Sequence, residues 1–107
     1  EFCFIYNEVM FRVSCIQLKS NNNILYNLKK TEKLISKAVK QKSDFILTPE
    51  ISSLFSLEKK KLEKKASKME DDLYCTGIKH LAQKYKKWIL IGSAIVKNKK
   101  NKIVDFK

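Results

Sequence analysis

The 107-residue chain contains two glycines, one proline, one histidine and a single arginine, and each scarcity removes a class of function. With Gly77 and Gly92 alone, no glycine-rich phosphate cradle can be written, so neither a dinucleotide fingerprint nor a P-loop is present. His80 stands by itself, and no grouping of histidine, cysteine and aspartate has metal-ligand spacing, so no metal and no cofactor is expected. Cys3, Cys15 and Cys75 follow no regular spacing, which argues against a disulfide framework and for a reducing compartment. No stretch has the length or purity of a membrane span. The apolar stretch 2–6 is short, lacks a basic leading segment and runs into Asn7 and Glu8, so it makes a poor signal peptide. Internal repeats and linkers are missing as well. A soluble, cytoplasmic chain with one domain, or the start of one, is the expectation.

Charge of one sign is abundant. The formal net charge is +12, which alone would point to nucleic acid or an anionic surface. However, Arg12 is the only arginine among 23 basic residues, and the lysines scatter over helix faces and loops without a stripe of interleaved aromatics. Nonspecific electrostatic adhesion fits this better than specific nucleic-acid binding or a membrane partner. The richness in lysine, asparagine and isoleucine is what an AT-biased genome produces. The densest run, residues 57–69, reads as a solvated helix: Leu57, Leu62, Ala66 and Met69 fall loosely on one face, while Glu58 with Leu62 and Lys59 with Glu63 stand at helical spacing.

The ordered part begins with a short strand at residues 13–18, closed by Lys19, Ser20 and three asparagines. From Ile24 the apolar residues Leu25, Leu28, Leu34, Ile35, Ala38 and Val39 recur at roughly the helical period, with lysines between them. Asn22 or Asn23 can cap this helix. A second strand follows at 44–48, so the chain opens with a β-α-β unit whose helical crossover implies a parallel pair. Downstream, Glu70, Asp71 and Asp72 suit the positive end of a helix carrying Leu73, Ile78, Leu81, Ala82 and Tyr85 on its apolar face. The continuous apolar run 88–96 reads as a strand covered on both faces, and residues 103–106 as the start of one more.

Within this order the segment Thr48-Pro49-Glu50 carries the most information. Pro49 cannot donate a ladder hydrogen bond, so Glu50 lies where a strand has just ended, the edge at which open α/β sheets bind ligands. The same pattern also describes a turn whose glutamate caps the next helix. Ser52, Ser53 and Ser56 read as loop and capping residues, because no histidine stands in their local pattern. His80 reads as a helix-surface residue. Cys15, inside a strand, and Cys75, on a helix, read as buried or half-buried small apolar residues rather than nucleophiles.

The succession of strand, helix, strand-Pro-Glu, variable stretch, helix and strand-Gly-Ser resembles the amino-terminal part of the nitrilase superfamily, the carbon-nitrogen hydrolases. The likeness rests on Val13, Cys15, Ile16 and Gln17, on Asn27, on Asp44-Phe45-Ile46-Leu47 with Pro49-Glu50, on Leu81-Ala82, and on Trp88-Ile89-Leu90-Ile91-Gly92-Ser93. It is strongest towards the small-substrate branch of deaminated glutathione amidases and omega-amidases.

The resemblance implies an α/β fold, the amino-terminal part of an alpha-beta-beta-alpha sandwich, and a Glu-Lys-Cys triad of which only the general base, Glu50, falls in this chain. Such a base must be desolvated enough to work near neutral pH, with Thr48 and Pro49 positioning it. The implied substrate is a small linear amide, and the implied complete protein a homo-oligomer. The substrate-binding residues, the lysine and the nucleophilic cysteine are expected beyond Lys107, and the variable stretch near the mouth of the site. Residues 1–9 are expected to be a non-native leader without a part in the fold, and 10–107 a partial domain. The alternative is a noncatalytic basic α/β module that binds nucleic acid or a protein.

Overall fold

A computed structural model describes residues 2–6 and 11–106, with side chains from 11 to 105. The elements run β1 (Phe2–Tyr6), β2 (Arg12–Ile16), α1 (Ile24–Lys40), β3 (Phe45–Thr48), α2 (Lys59–Lys65), a 3-10 turn (Met69–Asp71), α3 (Leu73–Tyr85), β4 (Trp88–Ile91), β5 (Ala94–Lys97) and β6 (Ile103–Phe106). The first four strands form one sheet in the order β1-β2-β3-β4, and β5 and β6 form a separate hairpin. β2, β3 and β4 are parallel, with Val13 beside Phe45 beside Trp88 and Cys15 beside Leu47 beside Leu90. The expected β-α-β unit is therefore present, and its pattern repeats through α3.

Helix α1 starts where the asparagines stop. The Asn23 side chain accepts from the Tyr26 N–H at 3.0 Å and satisfies one of the first-turn donors, and Lys42, at φ 63°, turns the chain away at the other end. Its buried stripe is Asn27, Leu28, Thr31, Leu34, Ile35 and Ala38. Leu25, expected on that stripe, is exposed, and two polar residues occupy it instead. Helix α3 is capped by Asp72, whose carboxylate accepts from the Cys75 N–H at 2.8 Å. Here Tyr74, Ile78 and Leu81 face inward, and Leu73 faces solvent. Gly77 lets α3 approach α1 closely, since a Cβ there would meet the Leu28 side chain at 2.7 Å.

Both helices cover one face of the sheet. Their inward residues join Ile16 and Ile46 in the main core, with Ile89 and Ile91 packed against it. The second core, Leu54, Ala66 and Ile95 with Leu62 and Ile103 beside it, ties the hairpin to the segment after β3. Helix α2 is shorter than the 57–69 run and has no fully buried residue, Leu62 being its one partly buried apolar side chain, in keeping with a largely solvated helix, and its ion pair joins Glu58 to Lys61 at 3.6 Å.

Two expectations need correction. Residues 88–96 are two strands in two sheets, because Gly92 and Ser93 leave the ladder to contact the turn after β3. Nor is β4 covered on both faces: Trp88 is 78% exposed and Leu90 54%. The amino-terminal stretch also takes part in the fold, since Phe2–Tyr6 pairs antiparallel with β2 as an edge strand. The other residues of the expected leader lie outside the described ones.

Candidate active site

At the carboxyl end of β3 the backbone makes a turn that ordinary propensities disfavour. Ile51 has φ 49°, a left-handed conformation that a β-branched residue adopts only when its surroundings enforce it. The enforcement is visible in hydrogen bonds on both sides of the residue. The Ile51 N–H donates to Ser93 Oγ at 2.8 Å, and the Ser20 hydroxyl donates to the Ile51 carbonyl at 2.6 Å. One residue on, the Ser52 N–H donates to the Ser93 carbonyl at 3.2 Å. Glu50, immediately before Ile51, is thus carried on a strained turn clamped by two serines from other segments.

Gly92 forms the floor of this clamp. Its N–H donates to the Thr48 carbonyl at 3.1 Å, and a Cβ at this position would stand 2.7 Å from Pro49 C and Thr48 O and 2.8 Å from Glu50 N. These are backbone atoms without rotamer freedom, so the close approach of β4 to the Pro49-Glu50 peptide requires glycine. Here the strand-Pro-Glu and strand-Gly-Ser segments meet.

A buried polar network supports the turn from below. Thr48, Ser52, Ser53 and Ser93 are all at most 1% exposed. Thr48 Oγ1 lies 3.3 Å from Ser52 Oγ, and Ser53 Oγ accepts from the Ile95 N–H at 3.0 Å. From α1, the Asn27 amide donates to the Ser53 and Asn21 carbonyls, both at 2.9 Å, and accepts from the Asn21 N–H at 3.0 Å. Thr31 Oγ1 lies 3.0 Å from the Tyr74 hydroxyl, linking α1 to α3. Burial pushes the Tyr74 phenol above its ordinary range, while hydrogen bonds to Ser52, Thr31 and Thr48 pull the other way. Satisfied networks of this kind fix one arrangement, because breaking any member leaves a buried polar group without a partner.

The sequence-predicted residues fall as follows. Glu50 sits at the strand end as expected, but it is exposed rather than desolvated, because the clamp grips the backbone of its turn and leaves the residue open to solvent. Thr48 belongs to the support beneath it. Ser52 and Ser53 are buried structural hydroxyls, and Ser56 Oγ accepts from the Glu58 N–H at 3.1 Å at the start of α2. His80 is on the exposed side of α3. Cys15 is half-buried inside β2, one residue before the strand ends. Cys75 is half-buried in the first turn of α3, where burial, reinforced by the Asp72 carboxylate, pushes its thiol up to about 12. A thiol held so high stays protonated at neutral pH and is a poor nucleophile.

Asn27, Thr31, Tyr74, Gly92 and Ser93 as parts of one support were not foreseen from the sequence. The available signal was positional: Asn27 and Thr31 interrupt the apolar stripe of α1 at helical spacing, and polar residues on such a stripe need partners. Among the described residues, no group of three or more histidine, cysteine, aspartate and glutamate side chains could hold a metal ion, and no helix is long and apolar enough to cross a membrane.

The sequence pattern that defines the carbon-nitrogen hydrolases matches residues 12–106, from the start of β2 to the end of β6. No curated protein compared with the chain matches it.

Proposed function

From the premise that this chain belongs to the carbon-nitrogen hydrolases, we propose that it is the Glu50-bearing part of an amidase that hydrolyses a small linear amide. The observation that carries this reading is the clamped turn. Ile51 is held left-handed by Ser20 and Ser93, and the Pro49-Glu50 peptide rests on Gly92, so the chain spends strain and two serine contacts on presenting one carboxylate. Strained backbone held by a buried network is a mark of functional turns.

In the proposed reaction Glu50 accepts the proton of a cysteine thiol, and the thiolate adds to the amide carbon. A lysine ammonium stabilises the oxyanion that forms. The C–N bond then breaks, and the nitrogen takes back the proton from the Glu50 carboxyl and leaves as ammonia. Water, deprotonated by the same carboxylate, opens the acyl-thioester and regenerates the thiol. Neither Cys15 nor Cys75 suits the nucleophile's part, the first lying inside a strand and the second held protonated, and the family likeness assigns the lysine and the cysteine to later strand ends of the complete domain. Glu50, exposed here, becomes a desolvated base only when the rest of the domain covers it. The sequence likeness favours the deaminated glutathione amidase and omega-amidase branch and an oligomeric complete enzyme, and the irregular cysteine spacing fits a cytoplasmic setting.

The test is ammonia release from short dicarboxylic acid monoamides such as alpha-ketoglutaramate. The 107-residue chain should show no turnover, and a full-length protein built around it should. In that protein Glu50→Gln should lower the rate by ~100-fold or more while leaving its thermal melt unchanged. Ordinary activity in the Gln variant removes Glu50 from the mechanism, and activity of the chain alone removes the assignment of the nucleophile to another part of the domain.

A further inference from the structure

Four of the large apolar side chains exposed among the described residues come from two distant stretches of the chain: Leu25 and Tyr26 in the first turn of α1, and Phe55 and Leu57 between the clamped turn and α2. Leu57 is 92% exposed, and the other three are about half in water. The fold ties the two stretches together. The Phe55 N–H donates to the Asn21 carbonyl at 2.8 Å, and the Lys65 ammonium donates to the Asn22 carbonyl at 2.6 Å, so the 55–57 loop and the end of α2 are both fastened to the segment that leads into α1. Ile24, the first residue of α1, packs on the second core beside Leu54 and with Leu62 of α2. The four exposed apolar residues each lie within a few positions of a side chain in that core and form its solvent rim.

The rim is strongly basic. Five of the seven residues of α2 are lysines, against Glu63 inside the helix and Glu58 at its cap, and Glu58 is already paired with Lys61. On α1, exposed Lys29 follows Leu25 and exposed Lys30 follows Tyr26 at i, i+4 spacing, which sets a lysine beside each apolar neighbour. The basic zone continues past α2, where Lys59 shares a cleft with Lys97 and Lys102 of the hairpin and with Glu63. Along the sequence these lysines and apolar residues are scattered; the fold gathers them.

Exposed apolar side chains ringed by one sign of charge restrict what can cover them. A second copy of the chain would bring like charges together, which a net charge of +12 opposes. A nucleic-acid backbone would satisfy the lysines but not the leucines, which carry neither a ring to stack on a base nor a donor for a phosphate. A bilayer with anionic headgroups satisfies both sets, since apolar side chains enter the headgroup boundary while lysine stems lie along it and their ammonium groups stay at the phosphates.

We propose that the first turn of α1, the 55–57 loop and α2 form a peripheral docking site for an anionic lipid bilayer, with Leu25, Tyr26, Phe55 and Leu57 entering the headgroup boundary and the surrounding lysines meeting lipid phosphates and carboxylates. None of these four side chains belongs to the clamp around Glu50, so the inference stands apart from the reaction proposed there.

The experiment measures partitioning of the 107-residue chain onto sedimented vesicles of phosphatidylcholine alone and of phosphatidylcholine mixed with phosphatidylserine. Binding to the mixed vesicles is expected to be at least ~10-fold stronger than to phosphatidylcholine, and to weaken as salt is added. Leu57→Ser leaves the charge unchanged, so adhesion by charge alone would not register it, whereas at the proposed site it should weaken partitioning by at least ~3-fold, and Leu25→Ser with Leu57→Ser by at least ~10-fold. Both leucines are exposed, so the thermal melts of these variants should match the parent's. Lys60→Gln with Lys64→Gln should weaken binding more than Lys79→Gln with Lys84→Gln, which removes the same charge from α3, a helix that contributes nothing to the second core. Equal binding to both kinds of vesicle, undiminished partitioning of the leucine variants, or equal losses in the two lysine pairs would each overturn the proposal. So would a single-stranded oligonucleotide whose affinity for the chain falls as much as that of the vesicles on the leucine substitutions, since the same side chains would then belong to a nucleic-acid site.

Discussion

The two faces of the four-stranded sheet are built from nearly the same kind of residue and have opposite fates. Towards the helices point Ile16, Ile46, Ile89 and Ile91, and both Ile16 and Ile46 are at most 2% exposed. Away from them point Val13, Cys15, Phe45, Leu47, Trp88 and Leu90, in two rows set by the parallel register, and none of these is fully buried. Strands that read as continuous apolar runs are built for cover on both sides. Here α1 and α3 supply cover on one side only. The difference teaches that the apolar pattern of a strand states how many layers it is suited to, and that other elements decide how many it receives. An open apolar sheet face of this kind is where a further layer of a sandwich, or another molecule, would pack.

The largest effect that sharpens this contrast is a pair of truncations. Ile46→Ala removes a fully buried side chain at the centre of the main core and should destabilise the chain by about 2–5 kcal/mol, as other buried large-to-small changes do. Leu90→Ala, on the open face, should cost no more than about 0.5 kcal/mol. Urea titrations of the two variants measure both, and equal losses would show that the open face is covered in solution.

An intermediate effect separates the helix-covered side by pH. In the folded chain the pKa values of Tyr74 and Cys75 are raised, Cys75 from 9.0 to about 12, so the unfolded chain releases these protons first as pH rises. Stability from the two groups is complete below their unfolded values and falls progressively above about pH 9, as the deprotonated unfolded state gains. Thermal melts from pH 7 to pH 11 should show this decline, and Cys75→Ser should flatten its first part. A melting temperature that rises over that range would contradict the burial of both groups.

The smallest effect on stability, and the most direct on the open face, is expected from Leu90→Lys. Folding should change little, within about 0.5 kcal/mol, because the side chain is already half in water. Self-association of the parent chain through its apolar rows and the edge of β4, which pairs with no further strand among the described residues, should fall, since an edge or face lysine opposes such pairing. Sedimentation velocity at several concentrations reads this outcome. An unchanged distribution would place the association elsewhere, and a strictly monomeric parent would mean that the open face is not adhesive.

Much of this molecule was legible in the order of its residues. The period of α1, its asparagine cap, the β-α-β unit and the position of Glu50 after a proline-ended strand all follow from local rules: periodicity, capping and the missing N–H of Pro49. The hairpin of β5 and β6 was half legible. Its second strand was anticipated, while the break at Gly92 was hidden inside an apolar run, because periodicity cannot tell one long strand from two short ones with a glycine between them.

The sequence by itself determined which segments become helix and strand, that the chain would be an α/β unit, and that one carboxylate would stand at a strand end. Those properties depend on neighbours along the chain. Only the tertiary structure decided that Ile51 is forced left-handed, that Ser20 and Ser93 hold it, that Gly92 lies under the Pro49-Glu50 peptide, and that Asn27, Thr31 and Tyr74 belong to its support. It also decided which apolar face is covered. Each of these depends on contacts between residues roughly 25 to 45 positions apart in the chain, and no local rule of propensity or spacing reaches that far.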